Sequence, residues 1–301
     1  MVKYIFNGNI FDWVSWGHVF QSIELWEPLI KYILKKENIP VSKIENLRPG
    51  TNAVFKSGEF IIKVFCPKES GVDGNIGYKS EIFALSFAQS LSVSVPKLIA
   101  SGEIVDKYSF SYIITEYING VDFNEYSLNF DNKEKFVFAR RMREITDSFN
   151  KECENFNGID VIHDKNRYTR WNKYSEKFRT ERLAYLHNHD FGKKVFVHGD
   201  LCYDNLLIDN NGCIYIIDFA DSVIAPQVYE HAHLACELFN FDRSYLHGYF
   251  GEYKADELVD LCFDGLLIHD FGGDIIEQNI TEINGMTCLE DLRNKLYELI
   301  K

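Results

Sequence analysis

The chain has 301 residues, 46% of them hydrophobic and 26% charged, and a formal net charge of −13. That length exceeds what one hydrophobic core usually serves, so two lobes are expected, and the composition excludes a disordered chain. No apolar run approaches the roughly 20 residues of a membrane span, the opening MVKYIFNGNIFDW lacks a signal-peptide layout, and the seven cysteines form no CxxC pair; a cytoplasmic protein with reduced thiols, no membrane partner and no zinc site is expected.

In chain order, apolar residues from Phe20 to Lys36 recur with a period near 3.6, which predicts a helix ending before Pro40. Two strands follow, Ala53-Lys56 and Phe60-Phe65, joined by a tight turn at Ser57-Gly58. Tyr78 to Leu91 reads as a helix and Ser111 to Ile118 as a strand closed by the turn signal Asn119-Gly120. Beyond it helical patterns dominate, at Lys133-Phe149, Arg170-His189, Val228-Phe239, Ala255-His269 and Leu289-Ile300. Short extended runs interrupt them at Val195-Val197, Leu206-Ile208 and Ile214-Ile217. The pattern predicts an α+β chain: a mixed N-terminal lobe built around a sheet, residues 1–118, and a mainly helical C-terminal lobe, residues 119–301.

Charge is unevenly spread, with 20 acidic against 5 basic residues from Gly199 to Lys301. Such a bias argues against a nucleic-acid partner and favours a cationic ligand, or else a merely solubilising surface. Glu230, Asp264, Asp270 and Asp274 are the candidate substrate acids in this stretch. Single histidines such as His163, His231 and His233 are read as structural.

The densest chemistry lies in VHGDLCYDNLLIDNNGCIYIIDFAD, residues 197–221. Carboxylates beside apolar strands are costly unless they are paired or bind a cation. His198-Gly-Asp200 followed by Asn205 spells H-x-D-x-x-x-x-N, and Ile217-Asp218-Phe219 follows after one hairpin's length. Phosphoryl transfer from a nucleotide needs these residue types: one carboxylate to align the attacking hydroxyl, and oxygen ligands for magnesium, which offsets the phosphate charge. Asp200 is the candidate base, Asn205 and Asp218 are the candidate metal ligands, and His198 is expected to brace the loop. Asp270-Phe271-Gly272 repeats the second motif but lies 65 residues beyond Asn205, too far to belong to the same hairpin.

Upstream, Lys63 lies inside the apolar run IIKVF, where an unpaired ammonium would be expensive. It is expected to meet nucleotide phosphates and a carboxylate, for which Glu81 on the following helix is the candidate. The turn Arg48-Pro49-Gly50-Thr51-Asn52 could offer backbone N–H groups to phosphate, through Thr51 and Asn52. No G-x-x-x-x-G-K-[ST] run occurs, which excludes a Walker-type site.

From about Leu47 to Phe239 the chain resembles the aminoglycoside phosphotransferase and choline kinase group, small-molecule kinases with a protein-kinase-like two-lobed fold. VHGDLCYDNLLI and IIDFAD carry the resemblance most strongly, with IIKVF, the Glu81 helix and IITEYINGVDF beside them. It implies an antiparallel sheet in the N-terminal lobe, Mg2+ and ATP or GTP as cofactors, and a small, cationic substrate such as an aminoglycoside. It also implies a hinge at the backbone of Glu116 and Ile118 for the purine, and a place for Asp221 in the site. The chain departs from the family where Ile224-Ala225-Pro226-Gln227 replaces a Gly-Asp-Pro-type turn, and it has only Gly50 in its nucleotide loop. An amino alcohol, a sugar or another metabolite is an alternative substrate, and a catalytically inactive nucleotide-binding relative is an alternative function. A protein kinase fits poorly, because Ala225-Pro226-Gln227 follows Asp218 by seven residues and leaves no room for a peptide-docking segment.

Overall fold

A computed structural model describes residues 4–48 and 50–301, which fall into two compact units, Met1–Gly120 with Ile217–Ala220, and Val121–Ile216 with Asp221–Lys301. Among the described residues, no helix is long and apolar enough to cross a membrane.

The first unit begins with helices α1 (Trp13–Val19) and α2 (Ile23–Lys36) and strands β1 (Ile44–Asn46), β2 (Ala53–Ser57) and β3 (Phe60–Val64). Helix α3 (Gly74–Ser90) and strands β4 (Leu98–Val105) and β5 (Ser109–Glu116) complete it. The five strands form one antiparallel sheet in the order β1-β2-β3-β5-β4. Helix α2 is capped by Ser22 and buries Trp26, Leu29, Ile30, Ile33 and Leu34, the three- and four-residue spacing of a single face. The Trp26 ring lies 4.5 Å from that of Phe6 and 5.2 Å from that of Phe110, in a core shared with Phe55, Ile62 and Tyr112. Each such side chain contributes about 1.5–3 kcal/mol through burial. Ile62 and Val64 of β3 and Phe110, Tyr112 and Ile114 of β5 belong to this core.

The second unit opens at strand β6 (Gly120–Asp122) and helices α4 (Phe123–Ser127), α5 (Asn132–Phe149) and α6 (Glu176–Asn188). Strands β7 (Lys194–Val197), β8 (Leu206–Asp209), β9 (Ile214–Ile216) and β10 (Val223–Pro226) follow, then α7 (Val228–His233), α8 (Arg243–Phe250), α9 (Ala255–Ile268), α10 (Gly272–Ile275) and α11 (Leu289–Ile300). Strands β8 and β9 form a hairpin flanked by β6, while β7 pairs antiparallel with β10.

Helix α8, which the sequence pattern does not reveal, packs on α5 through Gly248. A Cβ there would meet the Phe136 carbonyl oxygen at 2.3 Å. The predicted Arg170-His189 helix is instead a 3-10 turn at Lys165–Trp171 followed by α6, and Val228-Phe239 divides into α7 and a π-helical turn at Leu234–Leu238.

Candidate active site

In the first unit, Lys63 stands on β3 opposite Ile113 of β5. Its side chain is buried, and Nζ donates to Glu81 Oε2 at 2.6 Å and to Asp218 Oδ1 at 2.7 Å. Glu81 shares the buried stripe of α3 with Ala84, Leu85 and Ala88, so the helix presents its carboxylate where the strand presents the ammonium. Burial alone would lower the affinity of Lys63 for its proton, but the charges of Asp218 and Glu81 outweigh it and hold the pKa above the ordinary lysine value. Asp218 adopts the left-handed backbone region at φ +60°. A non-glycine residue there costs of order 1 kcal/mol or more, and such conformations persist where surrounding contacts impose them.

Other residues expected around the nucleotide are placed as follows. The Thr51 carbonyl accepts the Trp16 indole N–H at 2.9 Å, and Asn52 is buried at the start of β2. Pro49 of the same turn lies outside the described residues. The Glu116 N–H donates to the Lys97 carbonyl, while the Lys97 N–H goes to the Glu116 side chain at 3.0 Å. Ile118 is half-buried between β5 and β6.

In the second unit, the loop from His198 to Asn205 is fixed by its own polar groups. Asn205 donates through Nδ2 to the Asp200 carbonyl at 2.7 Å and to its carboxylate at 3.0 Å. This leaves the Asn205 amide oxygen as the end that can ligate a cation. His198 is fully buried, and its Nδ1 accepts the Asp200 N–H at 3.2 Å, which places the imidazole proton on Nε2. Gly199, at φ +86°, could carry no side chain: a Cβ would lie 2.2 Å from the Asp221 carbonyl oxygen.

Glu230 of α7 is 0% exposed and accepts the His198 N–H at 2.5 Å. It anchors the loop from beneath rather than facing a ligand. Burial pushes its pKa up to about 7 against the opposing pull of His233 and of the His198 and Gly199 N–H groups. Since the folded protein then holds this proton more tightly than the unfolded chain, stability is highest below the ordinary glutamate value near 4.3. It falls by about 3 kcal/mol as pH rises to about 7. Glu230→Gln keeps an acceptor oxygen and is expected to remove that part of the decline, read as urea midpoints at pH 5 and pH 8. Parallel declines in wild type and variant would show that Glu230 does not titrate in this range.

Sequence reasoning passed over His233 and Glu237 as site residues. His233 Nε2 lies 2.9 Å from Glu237 Oε2 and 4.0 Å from Asp200 Oδ1. Their i,i+4 spacing in a helical pattern was the available signal. The other acids are engaged within the unit. Asp264 accepts from Tyr185 at 2.6 Å and meets His189 at 2.9 Å, Asp270 pairs with Arg167, and Asp274 and Glu277 hold Lys173 at 2.5 and 2.6 Å. The cationic partners Arg167 and Lys173 precede Gly199 in sequence, so the surplus of the last third is partly neutralised on folding. Asp221 is exposed and close enough to Arg167 and Tyr229 to influence their protons.

Each unit offers one candidate oxygen donor for a metal, the Asp218 carboxylate in the first and the Asn205 amide oxygen in the second. Hard oxygen ligands, few in number, suit magnesium, which keeps waters and phosphate oxygens in its shell. Among the described residues, no group of three His, Cys, Asp or Glu side chains is arranged to hold a metal ion.

Residues 154–260 match the family model described as "Phosphotransferase enzyme family". Among curated proteins, none matches the chain by sequence. Solved structures show the same fold, that of the kinase-like aminoglycoside phosphotransferases. A GDP complex of a mutant aminoglycoside 2'-phosphotransferase-IIIa is 18% identical with a TM-score of 0.62, covering 90% of this chain and 92% of that one. The gentamicin-APH(2")-IIa complex is 17% identical with a TM-score of 0.60, over 90% and 97%. The amicoumacin kinase hAmiN in complex with AMP-PNP, Ca2+ and Ami is 13% identical with a TM-score of 0.57, over 89% and 93%.

Proposed function

We propose that this chain, a small-molecule kinase belonging over residues 154–260 to the phosphotransferase enzyme family, transfers the terminal phosphoryl group of ATP or GTP to a hydroxyl of a small amine-bearing molecule of the aminoglycoside class. The observation that carries this reading is the buried Lys63 ammonium bonded to both Glu81 and Asp218. A cation fixed on a strand between two carboxylates is preset for phosphate oxygens, and it pairs with acids whenever phosphate is away.

Asp200 accepts the proton of the acceptor hydroxyl as its oxygen bonds to phosphorus and the bond from phosphorus to the nucleoside diphosphate breaks. Asn205 holds the Asp200 carboxylate through Nδ2, and His198 and Glu230 fix the backbone that carries it. Asn205 Oδ1 and the Asp218 carboxylate are the magnesium ligands, and the ion when bound offsets the negative charge of the phosphates. Lys63 binds phosphate oxygens, with Glu81 keeping its ammonium in place. Thr51 and Asn52 belong to the phosphate turn, and the backbone of Glu116 and Ile118 serves the purine. The amine-bearing substrate is supported by the gentamicin and amicoumacin ligands named for the structural neighbours. Asp221, whose side chain is exposed, is a candidate acid for that amine.

Engagement of Asp264, Asp270 and Asp274 by His189, Arg167 and Lys173 favours a second reading, in which the acceptor is a sugar or an amino alcohol. A coupled ADP- and GDP-release screen with magnesium, run over aminoglycosides, amino alcohols and neutral sugars, separates the two. Turnover with an aminoglycoside that disappears in Asp200→Ala is the expected result. Turnover with neutral sugars alone would transfer the conclusion to the second reading, and no turnover with any acceptor would leave an inactive nucleotide-binding relative.

A further inference from the structure

We propose that His233 is a positioning residue for phosphoryl transfer: as an imidazolium it bonds Glu237 through Nε2–H, sets the charge beside the Asp200 carboxylate, and so makes turnover fall when it loses its proton. This rests on Asp200 being the base. His233 is 1% exposed at the end of α7, immediately before the π-helical turn that carries Glu237. Such one-turn irregularities are frequent at functional sites because they re-aim side chains, and here the turn accompanies a His–Glu contact beside the Asp200 carboxylate.

The groups facing His233 come from four segments of the chain. Its own helix and the π-helical turn supply Glu230 and Glu237, the loop before β8 supplies Asp200, and the residue after α9 supplies His269, whose ring centroid is 4.8 Å away. His269 Nδ1 accepts the Phe271 N–H at 3.0 Å, and burial, with the charges of His233, Arg170 and Arg167, holds it neutral. His233 is therefore the member of this ring pair that carries the charge. Burial works against that charge, but Glu237, Asp200 and Glu230 outweigh it and raise the His233 pKa. His233 Nδ1 and Glu230 Oε1 are both buried without a hydrogen-bond partner among the described residues.

The consequence is a charge balance around Asp200. With His233 protonated, Glu237 is neutralised, and the Asp200 carboxylate keeps a cation within 4.0 Å that orients it. With His233 neutral, Glu237 and Asp200 face each other as carboxylates without that cation, and the orientation of Asp200 loosens.

The test begins with the titration of the histidines by NMR in full-length protein labelled at the imidazole carbons. His233 is expected to titrate above the ordinary 6.5, and Asp200→Asn and Glu237→Gln are each expected to lower its midpoint by at least about half a pH unit. A midpoint at or below 6.5, or one that neither substitution moves, would overturn the proposal. In parallel, ADP or GDP release from the magnesium nucleotide is followed against pH. The wild-type rate is expected to fall above the His233 midpoint, and His233→Gln, which keeps a donor to Glu237 but no charge, should flatten that fall. An unchanged alkaline fall in the variant also overturns it; should the variant not fold, the wild-type and acid-variant titrations still decide. Asp200→Asn with wild-type turnover would instead remove the base assignment while leaving the coupling of His233 to its neighbours measurable.

Discussion

Asp200→Asn is expected to lower kcat by about 100- to 10,000-fold while nucleotide affinity stays within about twofold, a loss of roughly 3–5 kcal/mol of transition-state stabilisation. The substitution is nearly isosteric, and most of the local scaffold does not need the charge. The Asp200 N–H still reaches His198 Nδ1, its carbonyl still accepts from Asn205, and an amide oxygen can take the place of the carboxylate oxygen that Asn205 now holds. What disappears is the proton acceptor. Steady-state turnover with magnesium and the best acceptor, together with nucleotide binding by calorimetry, measures both quantities. A matching loss in both would mean that Asp200 acts in binding, and undiminished turnover would mean that another group takes the proton.

Lys63→Met is expected to abolish turnover and to destabilise the first unit by about 3–5 kcal/mol, because Glu81 would remain buried without its cation. Asp218 would lose the same partner, but its carboxylate reaches solvent and the cost there is smaller. The double variant Lys63→Met with Glu81→Leu removes both charges and should recover most of the stability without recovering activity. Urea unfolding of the two variants decides the matter. A single variant that loses less than about 1 kcal/mol would show that the pair is solvated and that Lys63 is not held as described. The pH dependence follows from the sign of the shift. Because the folded pKa of Lys63 lies above its unfolded value, the stabilisation is complete below about 10.4 and is lost only as pH rises through the folded value.

Much of this arrangement was legible before any coordinates. Lys63 announced itself because a charge inside IIKVF has no inexpensive home, and Glu81 was the candidate partner because it lies on the helix that follows; that this helix buries it came only with the structure. The antiparallel sheet agrees with the expectation for the N-terminal lobe, and the helix ends at Phe149, Ile268 and Ile300 lie within a residue of those read from periodicity. Strand β4 escaped because it lies at the sheet edge, half-buried on alternate residues, with Val105 at its exposed end, so no clean apolar face marks it. Helix α8 escaped because Gly248, which weakens a helical reading, is what allows its close approach to α5. The role of Glu230 was misjudged for a general reason. Composition reports how many acids a segment holds, whereas the folded backbone decides which of them face inward to bind N–H groups and which are neutralised by basic residues far away in sequence.

Residues 217–220 pack with the unit formed by the first 120 residues although the sequence on either side of them packs elsewhere. A gene cut after residue 120 would thus yield a fragment deprived of the four-residue insert that brings Asp218 to Lys63, and a remainder carrying that insert with nothing to dock on. Neither piece keeps the bond between Lys63 and Asp218, so exchanging the leading 120 residues for a homologous segment pairs a foreign lysine with the retained insert. A contact spanning 155 residues of sequence thus ties the leading segment and the insert into one compact unit.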